Sequence, residues 1–327
     1  MNTLASPWAL VRMTRDWLAR PAGRRTQQAA SLLLSVMILG LLARALADIG
    51  WQRLTDVLPG HPLFWLLFGA NYLSQPFADW LIYRRWWGLG TRDLGVFLKK
   101  HVLNEALFAY AGDGWLMGWA VRRLGLQLDP AHPPQVLGRG DGQGLDPAAN
   151  PFAAVKDVAI TSGLAGNLFT LGMLVLTIGF GAFAALETAV DADTLVQGAT
   201  GFALLLTLNL LILFNRDMVF SLCVQDNLRS FALHFVRVSV GHGLMVASWV
   251  VALPMVGLEA WLLLGALRLV ISRLPVPNKQ LLFAAVAVEV AGEAAPAVAA
   301  LMAAQGVLTL AGHVSSWFVA QALLRRE

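Results

Sequence analysis

The chain is short of charge. Only 13% of its 327 residues are Asp, Glu, Lys or Arg, about half of what a soluble chain of this length carries. A domain so poor in charge cannot cover its surface with polar groups, so water is excluded as its main solvent. There is one cysteine, Cys223, which closes no internal disulfide and builds no thiolate zinc or iron–sulfur centre. His-Glu-x-x-His, Gly-x-Ser-x-Gly and Walker motifs are all missing, which removes the recognisable signatures of zinc proteases, serine hydrolases and P-loop hydrolases. Gly138-Arg139-Gly140-Asp141 matches the Gly-x-Gly-Asp pattern of intramembrane aspartyl proteases. It sits in a polar loop rather than on a membrane helix, and is a chance match.

Apolar residues are abundant instead, at 57%, and the mean hydropathy is +0.62. That excludes intrinsic disorder and makes the lipid bilayer the expected solvent. A helix needs about 20 mostly apolar residues to cross about 30 Å of hydrocarbon. Eight stretches qualify: 29–47, 61–83, 159–185, 198–214, 231–253, 255–271, 281–300 and 303–324.

The segment 91–123 is long enough to cross but carries Lys99, Lys100, His101, Asn104, Glu105 and Asp113. Its Ala111-Gly112-Asp113-Gly114 centre has turn chemistry, so two short arms are expected to enter and leave by the same leaflet. The cations support this. With a re-entrant segment and a cytoplasmic amino terminus, 20 of the 24 Lys and Arg face the cytoplasm. Arg237 and Arg268 lie within snorkelling reach of that side, and only Arg44 and Arg53 remain outside. A ninth crossing would erase the positive-inside bias. Both termini are therefore expected in the cytoplasm. The external loops agree, with Glu187, Asp191 and Asp193 in one and Glu259 in another.

Residues 1–28 carry Arg12, Arg15, Arg20, Arg24 and Arg25 with Trp8 and Trp17, as expected of a basic amphipathic segment on an anionic leaflet. Ala45-Leu46-Ala47 resembles a signal-peptidase site, but the long leading region and Arg44 favour an uncleaved anchor. Residues 124–151, rich in Gly, Pro and Asp, read as an expected flexible cytoplasmic connection. Trp51, Trp86, Trp87 and Trp261 stand at span ends, where interfacial anchors belong.

Ionisable groups inside a bilayer cost about 2.5–3.5 kcal/mol each at mid-helix, so each invites a functional reading. Asn71, Gln75 and Asp79 are spaced four apart in the second span and share one stripe beside Pro76. That stripe must face protein or a water-filled cavity, either as glue between helices or as a substrate-lining wall. Glu289 and Glu293 repeat the spacing in the seventh span. They form a proton or cation site, or a pairing surface for Arg268 or His313, or are simply exposed on a helix half-inserted around Pro296. His101 and Glu105 are four apart beside Lys99 and Lys100, two cations suited to a lipid phosphate or to the interface. His234 and His242 share a face near Arg237 but have no third ligand, so no metal site is expected.

A second span ending Tyr83-Arg84-Arg85-Trp86, a semi-polar segment ending Arg122-Arg123, and the break Leu274-Pro275-Val276-Pro277 before a carboxylate-bearing helix form a pattern. Over residues 31–324 it resembles the flippase-like membrane family that includes the transmembrane part of lysylphosphatidylglycerol synthase, as a divergent member. Family members carry a Pro-Gly-x-x-Gly-Glu-like turn, where this chain has Ala111-Gly112-Asp113-Gly114-Trp115. Of the family's Pro-x-Pro-Gly-Gly-x-Gly-x-x-Glu run, Pro275 and Pro277 match. Asn278, Lys279 and Leu281 replace glycines, Ala284 takes the glutamate position, and Glu289 comes five residues late. The resemblance implies movement of a lipid or lipid-linked group between leaflets.

The expected protein is an all-α, polytopic inner-membrane bundle, with a segment 1–28 and one helical domain over 29–327. It would hold an anionic headgroup, of a phospholipid or a polyprenyl-linked lipid, in a polar cleft. Asn71, Gln75, Asp79, Lys99, Lys100, His101, Glu105, Asp113, Arg268, Glu289, Glu293 and His313 are the candidate substrate-binding residues. No catalytic residue, cofactor, metal or nucleic acid is expected, since the basic residues track topology. The alternative is an accessory subunit or membrane enzyme that presents a lipid to a transferase.

Overall fold

The computed structural model describes residues 58–107, 110–126, 144–179, 192–273, 283, 287 and 290–324. The basic segment 1–28, the first span, most of the loop 124–151, the Pro275–Pro277 break and Glu289 lie outside the described residues. Among those described, all regular structure is helical: α1 Pro62–Trp87, α2 Leu94–Ala106, α3 Ala111–Arg123, α4 Pro151–Gly179, α5 Ala192–Phe214, the short α6 Arg216–Val219, α7 Val224–Ala252, α8 Leu258–Arg273 and α9 Ala295–Leu324, the last preceded by a 3-10 turn at Gly292–Ala294.

Local chemistry sets the helix ends. His61 caps α1, its Nδ1 accepting from the Leu63 amide at 3.2 Å with Pro62 in the first turn. Gly88, at φ 60°, closes the other end in the left-handed conformation that glycine adopts without strain. Asn150 caps α4 by accepting from the Ala153 amide at 3.0 Å, with Pro151 at the first helical position.

Among the described residues, three helical runs are long and apolar enough to cross a membrane: Pro151–Leu176 within α4, Val224–Ala252 (α7) and Gly292–Leu324. Their surroundings must be apolar too. On α5, Leu204 is 68% and Phe214 82% exposed, which water would penalise at about 25 cal/mol per Å².

Helices α1 and α7 pack antiparallel along their lengths, with an apolar core at each end. One core joins Trp80, Tyr83 and Trp87 of α1 to Phe97, Leu116 and Trp119 of the α2–α3 hairpin and to Val155 and Val158 of α4. The other joins Phe64 of α1 to Trp249 of α7, Trp261 and Leu264 of α8, and Leu301 of α9. Between them lies a polar layer at mid-helix depth.

Three features differ from the expectations. Gly112-Asp113-Gly114 is not the turn of the hairpin but lies in the first turn of α3, and the residue with positive φ is Tyr110 ahead of it, at 70°. Gly112 is small for another reason: an added Cβ would lie 2.1 Å from the Lys100 carbonyl oxygen. Next, α9 runs unbroken over Ala295–Leu324, so no loop separates 281–300 from 303–324. The interruption falls at Gly292, with φ 52°, and Pro296 is tolerated because it lies in the first helical turn. Finally, Trp87 and Trp261 are buried in the two cores rather than at an interface. The Trp87 indole also donates to the Pro147 carbonyl at 3.1 Å, since packing a large ring outweighs its interfacial preference.

Candidate functional site

The polar stripe of α1 faces protein, and α7 reads it in reverse. Asn71 lies against Gly241, where an added Cβ would come 3.3 Å from its Oδ1. The Gln75 Oε1 accepts from Arg237 Nη1 at 3.0 Å, while Nη2 donates to Ser162 of α4 at 3.3 Å. Asp79, one turn on, lies within electrostatic reach of His234. As the α1 number rises by four, its α7 partner falls by three or four, which is the register of two antiparallel helices meeting along one seam.

Asp79 opens a second contact, toward the hairpin. Lys100 of α2 places its Nζ 2.6 Å from Asp79 Oδ2 and 3.2 Å from Asp113 Oδ1 of α3, with all three side chains buried or nearly so. The Asn104 amide donates to Asp113 Oδ2 at 2.9 Å, and its carbonyl oxygen accepts from the Gly112 amide at 2.7 Å. Asp113 also sits in the first turn of α3, where the helix dipole favours an anion. One ammonium thus joins two carboxylates from three helices. In a low dielectric such a cluster persists only when every charge is compensated.

On the opposite side α2 lies antiparallel to the end of α9. Leu323 packs over Gly95, and Val102 and Leu103 pack on Trp317. Lys99 is held between two indoles, 5.0 Å from the Trp115 centroid and 4.8 Å from that of Trp317. His101 and His313 meet edge to face at 5.5 Å, and Tyr72 of α1 completes the group, its hydroxyl 2.9 Å from His313 Nδ1. Arg268 of α8 lies 5.9 Å from Trp249 and 5.8 Å from Phe283, and Glu105 is within its electrostatic reach.

Of the expected site residues, the structure therefore gathers Asn71, Gln75, Asp79, Lys100 and Asp113 into one polar layer. Lys99, His101 and His313 line the adjoining α2–α9 face, with Glu105 and Arg268 beside it. Glu293 stands exposed in the 3-10 turn, apart from these groups. Neither Lys99 nor Arg268 has a carboxylate ion pair among the described residues, whereas Lys100 is fully engaged.

Asp157 is a functional-looking group that sequence reasoning passed over. Its side chain is wholly buried, and Oδ2 accepts from the Ser221 and Leu222 amides at 2.8 and 2.7 Å. Lys156 approaches Oδ1 at 2.8 Å and donates to the Val219 carbonyl. Leu145 adds a backbone bond to Ser221 at 2.8 Å, so this carboxylate ties the start of α4 to the α6–α7 connection. Asp157→Ala is expected to cost about 3 kcal/mol, because two buried amides lose a charged acceptor. A detergent-denaturation midpoint checks this, and a shift no larger than that of an exposed control such as Glu259→Ala would contradict it.

Among the described residues no group of three or more His, Cys, Asp or Glu is placed to hold a metal ion. No family model, curated protein or solved structure matches the chain.

Proposed function

We propose that the chain is a multi-pass inner-membrane protein of lipid-transporter type, in which the α2–α3 hairpin is a re-entrant element and the amino terminus is cytoplasmic. Each 13-residue arm is about 20 Å long, too short for about 30 Å of hydrocarbon. The observation that carries the reading is Lys100 bridging Asp79 and Asp113. Three charges sunk in an apolar bundle are costly, and such groups mark ion and substrate paths in membrane proteins.

The substrate class follows from the neighbouring cations. Lys99 and Arg268 rest on aromatic rings rather than carboxylates, and both keep donors for the phosphate of a phospholipid or polyprenyl-linked lipid. Tyr72, His101 and His313 supply hydrogen-bonding groups on the same face, and Glu105 would meet an aminoacyl or amine group. The Lys100 cluster then works as the internal switch, since protonating either carboxylate changes the pairing of the hairpin with α1.

The test is transbilayer movement of fluorescent anionic phospholipid in proteoliposomes. The wild-type protein is expected to accelerate it. Asp79→Asn and Lys99→Gln should each lower the rate about tenfold, the loss of one charge-assisted contact. Lipid that binds without moving would favour the accessory role, and no binding of any anionic lipid would refute the reading.

A further inference from the structure

Four buried polar atoms around Asp79 have no hydrogen-bond partner among the described residues: the Tyr83 hydroxyl, both ring nitrogens of His234 and Arg237 Nε. Tyr83 is fully buried and His234 is 1% exposed. His234 and Arg237 lie on adjoining turns of α7 opposite Asp79, and Tyr83, one turn from Asp79 on α1, has its ring stacked on Phe97 of α2 at the edge of the apolar core beside that seam. Native interiors rarely leave so many polar atoms unsatisfied in one place, and the usual occupant of such a site is ordered water.

The charges point the same way. Tyr83 lies within electrostatic reach of three carboxylates on three helices, Asp79 on α1, Asp113 on α3 and Asp157 on α4, yet bonds to none. A buried phenol near acceptors it does not touch is a group that water can bridge. His234 is faced by Asp79 from α1 and Lys100 from α2, with Arg237 on its own helix. Asp157, the furthest of these carboxylates from the cluster in the chain, is paired with Lys156, whose side chain is 21% exposed and so reaches the protein surface.

We propose that water fills the α1–α7 seam beside Asp79 and carries protons between the Asp79–Lys100–Asp113 cluster and the surface edge at Lys156 and Asp157. A proton entering at that edge passes along hydrogen-bonded water past Tyr83 to the Asp79 carboxylate. Only O–H bonds form and break, and Lys100 keeps its pairing to Asp113. This rests on the transporter reading for its purpose, since the route would couple lipid movement to the proton gradient, but not for its existence.

Hydroxyl-radical footprinting of the full chain in lipid nanodiscs, followed by infrared detection of carboxyl protonation after a pH drop, tests both halves. Tyr83 and His234 are expected to label well above Phe64 and Trp249, which are equally buried but carry no unpartnered polar atom. A carboxylic-acid band is expected to rise after the pH drop and to rise about tenfold more slowly in Tyr83→Phe. That variant removes an atom with no protein partner, and an unchanged circular dichroism spectrum confirms that it folds. Labelling of Tyr83 and His234 no greater than that of Phe64 and Trp249 would overturn the proposal. So would a carboxyl band absent from the wild type, or one rising equally fast in the variant. None of these results touches lipid binding, and a failure to bind lipid would leave a wet seam standing.

Discussion

Replacing Lys100 with methionine is expected to destabilise the protein by about 3–5 kcal/mol, the cost of leaving buried carboxylates without their counter-charge. The side chain is 6% exposed, and Asp79 is 4% exposed, so neither bulk solvent nor a neighbouring lipid headgroup can take the ammonium's place. Methionine fills nearly the same volume, and the loss is electrostatic rather than a cavity effect. The remedy should also be electrostatic. Adding Asp79→Asn and Asp113→Asn to Lys100→Met removes both orphaned charges and should recover most of the stability, far from the sum of the single changes. Denaturant midpoints for the single and triple variants measure this directly. Equal stability of Lys100→Met and wild type would mean that the cluster is not buried as described. Recovery of fold in the triple variant without recovery of lipid movement would separate the structural role of these charges from their working role.

Gly112→Ala should have the next largest effect. The new methyl would overlap the Lys100 carbonyl oxygen at 2.1 Å and press on Asn104 Oδ1 at 2.8 Å. The first of these is backbone and cannot swing aside. The two arms must separate, stretching the bond from the Gly112 amide to Asn104 and with it the Asp113 contacts. The expected loss is at or above the upper end of the about 1–3 kcal/mol typical of overpacking. Gly114→Ala, two residues on, meets nothing within 4 Å and should be nearly neutral. If the two alanines cost the same, the close approach of the arms is wrong.

The pair Gly112 and Gly114 also shows where sequence reasoning stops. Gly-Asp-Gly carries the composition of a turn, and nothing local distinguishes a glycine needed for φ from one needed for close approach. The Lys100 carbonyl that demands Gly112 is brought there by the fold of the hairpin. Spacing did better on α1, because residues 71, 75 and 79 share a helical face whatever the fold. Their partners, Gly241, Arg237 and Lys100, depend on a register between helices that no periodicity encodes. Asp157 escaped notice because it stands next to Lys156 at the start of an apolar run, where a charged pair resembles an ordinary interfacial one. Its burial comes from amides more than 60 residues away. The apolar stretches located most of the helices but misplaced the last interruption, expected between 300 and 303 and found at Gly292, the residue with positive φ.

The central claim is that α2 and α3 form one antiparallel hairpin locked by Lys100, so that its two ends emerge together. Lys100 meets Asp113 while Asn104 meets Gly112, and Leu89 and Leu124 at the two outer ends belong to the same apolar core. The most direct test replaces Cys223 with serine and places single cysteines at Gly90 and Gly125 for labelling by a membrane-impermeant maleimide in oriented vesicles. Both sites should react from the same side of the membrane, the cytoplasmic one. Labelling of Gly90 and Gly125 from opposite sides would contradict the hairpin, and with it the buried cluster that holds it to α1.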